Sequence, residues 1–76
     1  MKLFFLKEHS LYKIFKTIEK VPNGRTIYIY IDPEHSFFDN ERRGKEIKEL
    51  LQKNNLNAMF VNKTEKSKYF FSSLGL

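Results

Sequence analysis

Apolar and polar side chains alternate most regularly over residues 26–32, which read Thr-Ile-Tyr-Ile-Tyr-Ile-Asp. Successive side chains of an extended chain point to opposite faces, so the three isoleucines share one face and the two tyrosines share the other. Asn23 and Gly24 mark a turn before this segment, and Pro33 ends it. The pattern predicts a strand inside a sheet, with neighbours running in the same direction. Its isoleucine face must be buried, whereas its tyrosine face can be covered or half exposed.

Two further segments contain short, continuous apolar runs. The first is residues 2–7, with Leu-Phe-Phe-Leu at its centre, and the second is residues 57–62, with Ala-Met-Phe-Val at its centre. Such runs are typical of strands that are buried on both faces. We therefore predict a strand buried on both faces in the first segment, where a helix start is the alternative, and a short buried strand in the second.

Apolar residues at helical spacing follow the first predicted strand. They fall at i, i+3, i+4 and i+7, and are Leu11, Ile14, Phe15 and Ile18. Ser10 precedes them and is a good N-cap, because its hydroxyl can accept a hydrogen bond from an unpaired N–H of the first turn. The spacing predicts a helix over residues 11–20.

The other two helices are predicted from caps and narrower apolar stripes. After a loop over residues 33–40, a cap at Asp39 or Asn40 begins a helix that runs to about residue 54, and Gly44 within it suggests a close approach to the sheet. A third helix spans residues 65–74, with a cap at Asn62 or Thr64. Its inner face is predicted to consist of Tyr69, Phe70 and Leu74, widened by Phe71.

The predicted order of elements is therefore β-α-β-α-β-α. Strands that alternate with helices imply parallel pairing through right-handed crossovers. We expect a Rossmann-like α/β domain over residues 1–76 with a three-stranded parallel sheet, either alone or as the N-terminal module of a longer protein. A sheet of three strands has exposed edges, so pairing with another chain is one expectation.

The charge of the chain is positive but not concentrated. Fourteen Lys and Arg residues against nine Asp and Glu residues make a net charge of +5, and the lysines are spread along the sequence. This distribution favours a role in solubility over a polyanion site. There is no cysteine, which excludes disulfides and thiolate metal sites and fits a reducing, cytoplasmic compartment. No apolar run reaches the ~18 residues of a membrane span.

Polar residues follow the predicted strands at their carboxyl ends, where open parallel sheets bind ligands. The candidate ligand-binding residues are Asp32, Glu34, His35, Ser36, Asn62, Lys63 and Thr64. The same residue types are also the ones that turns and helix caps favour, so a structural role is the alternative. The three glycines stand alone, without a glycine-rich phosphate motif, and no metal-ligand spacing is present. We expect no metal and no cofactor.

The segment Ala58-Met59-Phe60-Val61-Asn62-Lys63 is followed, at the end of the sequence, by Leu74-Gly75-Leu76. In these two segments the chain resembles phosphatases of the haloacid-dehalogenase type. The resemblance implies that Asp32 matches the nucleophile and that Asn62 and Lys63 match the second motif of the family. Glu34 and His35 stand where the family has the acid–base Asp and a Gly, so the resemblance implies a degenerate site.

A second resemblance covers nearly the whole chain. The segments Ile27-Tyr28-Ile29-Tyr30-Ile31 and Phe60-Val61-Asn62-Lys63, with the ending Leu-Gly-Leu, are similar to a small Rossmann-like module of uncharacterised bacterial proteins. That module carries no known activity. The resemblance implies the same fold and leaves the function open.

Three functions are compatible with these observations. The first is a non-enzymatic module that contacts a protein partner, self-associates through a sheet edge or forms part of a larger assembly. The second is nucleic-acid binding through Arg42, Arg43 and Lys45, with the tyrosines as stacking surfaces. The third is a degenerate phosphatase-like fold.

Overall fold

A computed structural model describes residues 1–61 and 64–75 of the chain. It contains three strands, three α-helices and one short 3-10 helix, which comes between the second strand and the second α-helix. In chain order they are β1 (Lys2–Phe5), α1 (Leu11–Glu19), β2 (Thr26–Ile31), the 3-10 helix (Ser36–Asp39), α2 (Glu41–Lys53), β3 (Asn57–Phe60) and α3 (Glu65–Ser73). The predicted β-α-β-α-β-α order is confirmed.

The three strands form one parallel sheet in the order β1-β2-β3. In its register, Leu3 lies beside Ile29, and Ile29 lies beside Phe60. The prediction that the isoleucine-rich strand lies inside the sheet, between parallel neighbours, is confirmed. Strands that follow one another in the chain are also neighbours in the sheet. Because both crossovers are right-handed, the two connecting helices lie on the same face of the sheet.

The hydrophobic core lies between that face and the helices. It is built on the three isoleucines of β2, and the helices contribute Ile14, Ile18, Ile47, Leu51, Phe70 and Phe71. Full burial of one such side chain stabilises the fold by about 1.5–3 kcal/mol. All three helices therefore pack on the isoleucine face, as the alternation in β2 requires.

The opposite face of the sheet has no covering layer among the described residues. Phe4 in β1 is 64% exposed, Tyr28 in β2 is 41% exposed, and Met59 in β3 is 54% exposed. The prediction that β1 is buried on both faces is therefore wrong, and β3, predicted as a buried strand, is partly buried on its helix-facing side only. Both crossovers use the same face, so alternate residues of the two apolar runs are left facing outward.

The helix boundaries follow the predicted capping residues closely. Asn40, rather than Asp39, caps α2 by accepting a hydrogen bond from the Arg42 N–H at 2.9 Å. At the other end of α2, Asn55 has a left-handed φ of +52°. The Leu56 N–H then donates to the Leu51 carbonyl at 2.9 Å, which completes a left-handed helix ending. None of the helices in the described part of the chain has the length and hydrophobicity needed to cross a bilayer.

The connection after β2, which is predicted as a plain loop, contains core residues. The 3-10 helix places Phe37 at 0% and Phe38 at 7% exposure. The Phe37 ring lies 5.5 Å from that of Phe70 and 6.2 Å from that of Phe71, centroid to centroid. The loop thus supplies two aromatic rings that fix α3 against the rest of the fold.

The inner face of α3 differs from the prediction. Phe70 and Phe71 are buried, and Leu74 is half-buried against the core, but Tyr69 is 79% exposed. Phe71 stacks on Phe60 of β3 with 3.9 Å between ring centroids. This stacking turns the adjacent pair of phenylalanines inward, and it rotates Tyr69 into solvent.

Gly44 allows a close approach, but the approaching element is α3 and not the sheet. A Cβ built on Gly44 would lie 2.9 Å from Cε1 of Phe70, and it would also collide with the Leu74 side chain. The same two helices are joined by the Lys48 ammonium group, which donates to the Leu74 carbonyl at 2.9 Å. The missing side chain of Gly44 is what lets α2 and α3 pack at this distance.

We expect Gly44→Val to lower the free energy of unfolding by about 1–3 kcal/mol, because its side chain overlaps the buried Phe70 ring. Lys45→Val is the matched control. It introduces the same β-branched residue at the next, exposed position of α2, where only helix propensity changes, by about 0.5 kcal/mol. Urea denaturation followed by circular dichroism measures both. Equal losses in the two variants would contradict the packing of α3 on Gly44.

Candidate functional site

The connections after β1 and β2 meet at the carboxyl edge of the sheet. The Asp32 N–H donates to the Phe5 carbonyl at 2.8 Å, which continues the sheet pairing beyond β2. Further out, Nε2 of His35 lies 2.6 Å from the carbonyl oxygen of His9. The structure therefore packs the connection after β2, which holds four of the seven candidate ligand-binding residues, against the connection after β1.

His35 is fully engaged within the fold. Its side chain is buried, at 1% exposure, and Nδ1 accepts a hydrogen bond from the Phe37 N–H at 2.8 Å. Because Nδ1 acts as the acceptor, the ring proton is on Nε2, which donates to the His9 carbonyl. Both ring nitrogens are thus hydrogen-bonded to backbone groups, and the His35 side chain links the two connections.

Asp32 and Glu34 lie nearer the surface of the same edge. Oδ1 of Asp32 accepts a hydrogen bond from the Glu34 N–H at 2.9 Å, which forms a turn closed by the aspartate side chain. The Glu34 carboxylate lies 3.6 Å from the Lys7 ammonium group, and both side chains are mainly exposed. An exposed ion pair of this kind contributes little stability, about 0–1 kcal/mol.

The remaining candidate residues at this edge are a helix cap, a surface residue and two positions outside the described residues. Thr64 caps α3 by accepting a hydrogen bond from the Ser67 N–H at 3.2 Å. Ser36 begins the 3-10 helix and is exposed. Asn62 and Lys63 lie outside the described residues. In residues 1–61 and 64–75, no three His, Asp or Glu side chains are grouped as a metal site would require.

The basic residues proposed for nucleic-acid binding lie on the helical side of the molecule. Arg42, Arg43 and Lys45 belong to the first turns of α2, whose apolar residues pack on the isoleucine face of the sheet. The Arg43 guanidinium is 3.2 Å from the Glu46 carboxylate, which offsets part of its charge. The exposed tyrosine of β2 lies on the opposite face of the sheet.

That opposite face carries the largest group of exposed apolar side chains on the sheet. We call it the open face, and it consists of Lys2, Phe4, Tyr28, Tyr30, Met59 and Val61. Parallel register places these side chains in two rows across the sheet. One row is Lys2–Tyr28–Met59, and the other is Phe4–Tyr30 extended by Val61, whose N–H donates to the Ile29 carbonyl at 2.8 Å.

A shallow groove of about 530 Å³ crosses the open face. It is lined by Lys2, Leu3, Phe4, Tyr28, Tyr30 and Val61. The Phe4 and Tyr30 rings in this lining have centroids 6.1 Å apart and planes inclined by 52°. Among the described residues that line it, Lys2 is the one cation and there is no carboxylate. The groove is therefore mainly apolar and aromatic, with a positive charge in its lining.

Sequence reasoning left the exposure of the tyrosines open and missed Phe4, Met59 and Val61 as surface residues. A signal was available in the order of the elements. A parallel sheet whose strands follow chain order carries its connecting helices on one face, so the other face has no cover of its own.

No family model, curated protein or solved structure matches the chain in the three comparisons.

Proposed function

We propose that this chain is a non-enzymatic contact module whose open face is covered by a protein partner. The observation that carries the proposal is the exposure of Phe4, Tyr28 and Met59 on a parallel sheet. All-parallel sheets occur almost only where both faces are covered. The covering layer for this face is absent from the described residues, and a partner can supply it.

The size of the open face fits a contact of moderate affinity. Taking about 150–250 Å² for a whole aromatic side chain, its exposed apolar side chains offer about 400 Å². That lies within the ~300–600 Å² range of patches that are often functional on monomers. At about 25 cal/mol per Å², burial gives about 10 kcal/mol, which association costs of ~4–15 kcal/mol largely offset. The polar rim must therefore contribute for the complex to form.

The other interpretations have less support. The exposed tyrosine of β2 favours nucleic-acid binding, because it offers a stacking surface. Phosphate contacts, however, need several cations beside that surface. Here Arg42, Arg43 and Lys45 lie on the helical side. Self-association through a sheet edge has only the four-residue strands β1 and β3 to use, and short edges pair poorly. For a degenerate phosphatase, the carboxylate of Asp32 is already committed to a turn.

The resemblance to a small Rossmann-like module without known activity leaves the function open and is compatible with a contact role. The absence of cysteine supports a cytoplasmic location for such a module. A partner in the same compartment is therefore part of the proposal.

The proposal is tested by site-specific photocrosslinking in the cells that produce the protein. We expect p-benzoylphenylalanine in place of Tyr28 to form ultraviolet-dependent adducts that protease removes. The same crosslinker in place of Tyr69, which is 79% exposed on α3, is the matched control and forms few adducts. Phe4→Ser, added to the Tyr28 probe, should reduce the adduct several-fold. Adducts removed by nuclease, or none at Tyr28, would contradict the proposal.

A further inference from the structure

We infer that the partner segment on the open face is an amphipathic α-helix with acidic residues along its flanks. This inference rests on the proposed function and names the class of partner that the face fits. Three independent features of the open face support it, namely its width, its apolar groove and the sign of its charge.

The first feature is width. Neighbouring strands lie about 4.8 Å apart, so the axes of β1 and β3 are about 10 Å apart across the sheet. An α-helix with its side chains is about 10–12 Å in diameter. One helix therefore covers all three strands, and the four residues of β1 and of β3 match about two helical turns. The face has the dimensions of a single missing helix.

The second feature is the groove. Its described lining is almost entirely apolar or aromatic, and it includes the rings of Phe4, Tyr28 and Tyr30. A helix presents apolar residues at i, i+3 or i+4 and i+7 as one ridge, and this ridge is what apolar grooves recognise. Helices already cover the isoleucine face of this parallel sheet. The same packing is available on the open face.

The third feature is charge. Lys2 lines the groove, no Asp or Glu does so in the described part of the chain, and the sequence carries a net charge of +5. Complementary charge on a partner accelerates association and selects among partners. Acidic residues beside the apolar stripe of the helix would face Lys2 across the rim. The charge of the open face thus favours a helix with acidic flanks over a helix with basic flanks.

The same charge argues against a second copy of the chain. Two copies joined through their open faces would each bring a net charge of +5 and place two Lys2 side chains at one interface. Like charges facing each other across an interface oppose association. The helices α1, α2 and α3 of a second copy are already packed on its own sheet, so it has no described helix to donate.

The experiment uses two fluorescein-labelled synthetic helices of about 18 residues, or about 27 Å. Both carry the same leucine stripe, and one has glutamates on its flanks where the other has lysines. We expect the full chain to bind the glutamate peptide about tenfold more tightly in fluorescence anisotropy at low salt, with the ratio falling as salt is added. Equal binding of both peptides would overturn the acidic flank, and binding of neither would overturn the helix.

Variants locate the binding on the open face. Phe4→Ser combined with Tyr28→Ser should weaken the glutamate peptide at least tenfold. The control combines Tyr12→Ser with Tyr69→Ser, which removes two aromatic rings exposed on helices, and should change binding less than twofold. Circular dichroism confirms that both double variants fold. Should the control weaken binding as much as the first pair, the open face is not the site.

A charge reversal tests the role of Lys2. Lys2→Glu should reduce the preference for the glutamate peptide by about threefold, whereas Lys45→Glu, with the same change in net charge on α2, should reduce it less. Equal effects of the two reversals would remove Lys2 from the proposal. Sedimentation at several concentrations and titration with a single-stranded oligonucleotide complete the test. If the chain forms a dimer that the Phe4 and Tyr28 double variant does not form, a second copy replaces the helix as the occupant. If the chain binds the oligonucleotide and the double variant does not, nucleic acid replaces it.

Failure of this inference is distinguishable from failure of the proposed function. Protein adducts at the Tyr28 position together with no peptide binding would leave a protein partner that docks without a helix. Absence of protein adducts would remove the proposed function itself.

Discussion

Phe37→Ala is expected to lower the free energy of unfolding by about 3–5 kcal/mol, which is the usual cost of removing a buried phenylalanine. Phe37 is 0% exposed and contacts the rings of Phe38, Phe70 and Phe71. Its loss leaves a cavity among rings that come from two elements, the 3-10 helix and α3. A chain of this size has a total stability of only ~4–11 kcal/mol, at ~0.05–0.15 kcal/mol per residue.

Phe4→Ala is the matched control for this prediction. It removes the same side chain from a position that is 64% exposed, where we expect a loss below about 1 kcal/mol. Urea denaturation of both variants measures the difference. If Phe37→Ala proves too unstable to purify, Phe37→Leu reports the same site with a smaller loss of about 1–2 kcal/mol. Similar losses at positions 37 and 4 would contradict the assignment of one residue to the core and the other to the open face.

The role of Phe37 shows why the connection after β2 was predicted incompletely. Pro33, the polar residues around it and the lack of periodicity all indicate a loop, and the chain does leave regular structure there. Two adjacent phenylalanines carry no helical or strand period. Their burial comes from α3, which lies more than twenty residues further along the chain. Local pattern therefore predicts the loop, and only tertiary packing makes it part of the core.

The sheet was predictable in one respect and not in another. Alternation in β2 specifies which side of that strand is buried, and the order of elements specifies parallel pairing. The short runs of β1 and β3 carry no such information, because both of their faces are apolar. An exposed large side chain such as Phe4 or Met59 looks like a core residue in sequence, since apolar composition does not by itself imply burial.

The sequence pointed to the carboxyl edge of the sheet but not to the open face, and the reason is related. Asp32, His35 and Thr64 were singled out because ligand sites and turns use the same side chains. Sequence alone cannot separate the two uses, whereas hydrogen-bond partners can, and in this chain the partners are backbone groups. The open face contains no residue pattern that predicts a binding site. Its interest comes from the lack of a covering layer in the described part of the chain, which the order of the elements indicates and the structure shows.

His35→Leu is expected to lower the free energy of unfolding by about 2–4 kcal/mol. The substitution fills most of the volume of the imidazole but leaves the Phe37 N–H and the His9 carbonyl without their present partners. Each buried polar group left unpaired costs about 1–3 kcal/mol. The connections after β1 and β2 would lose one of the contacts that join them. Hydrogen exchange should also accelerate at the Phe37 amide, because its N–H loses the imidazole acceptor.

His35→Asn separates the two hydrogen bonds of the imidazole. An asparagine side chain accepts from the N–H two residues ahead, as Asn40 does from Arg42 in this chain at 2.9 Å. It should therefore keep the bond to Phe37 while being too short to reach His9. We expect a loss of about 1–2 kcal/mol, roughly half that of the leucine variant, with slow exchange of the Phe37 amide retained. Equal losses for asparagine and leucine would mean that the bond to His9 alone makes His35 important for the fold.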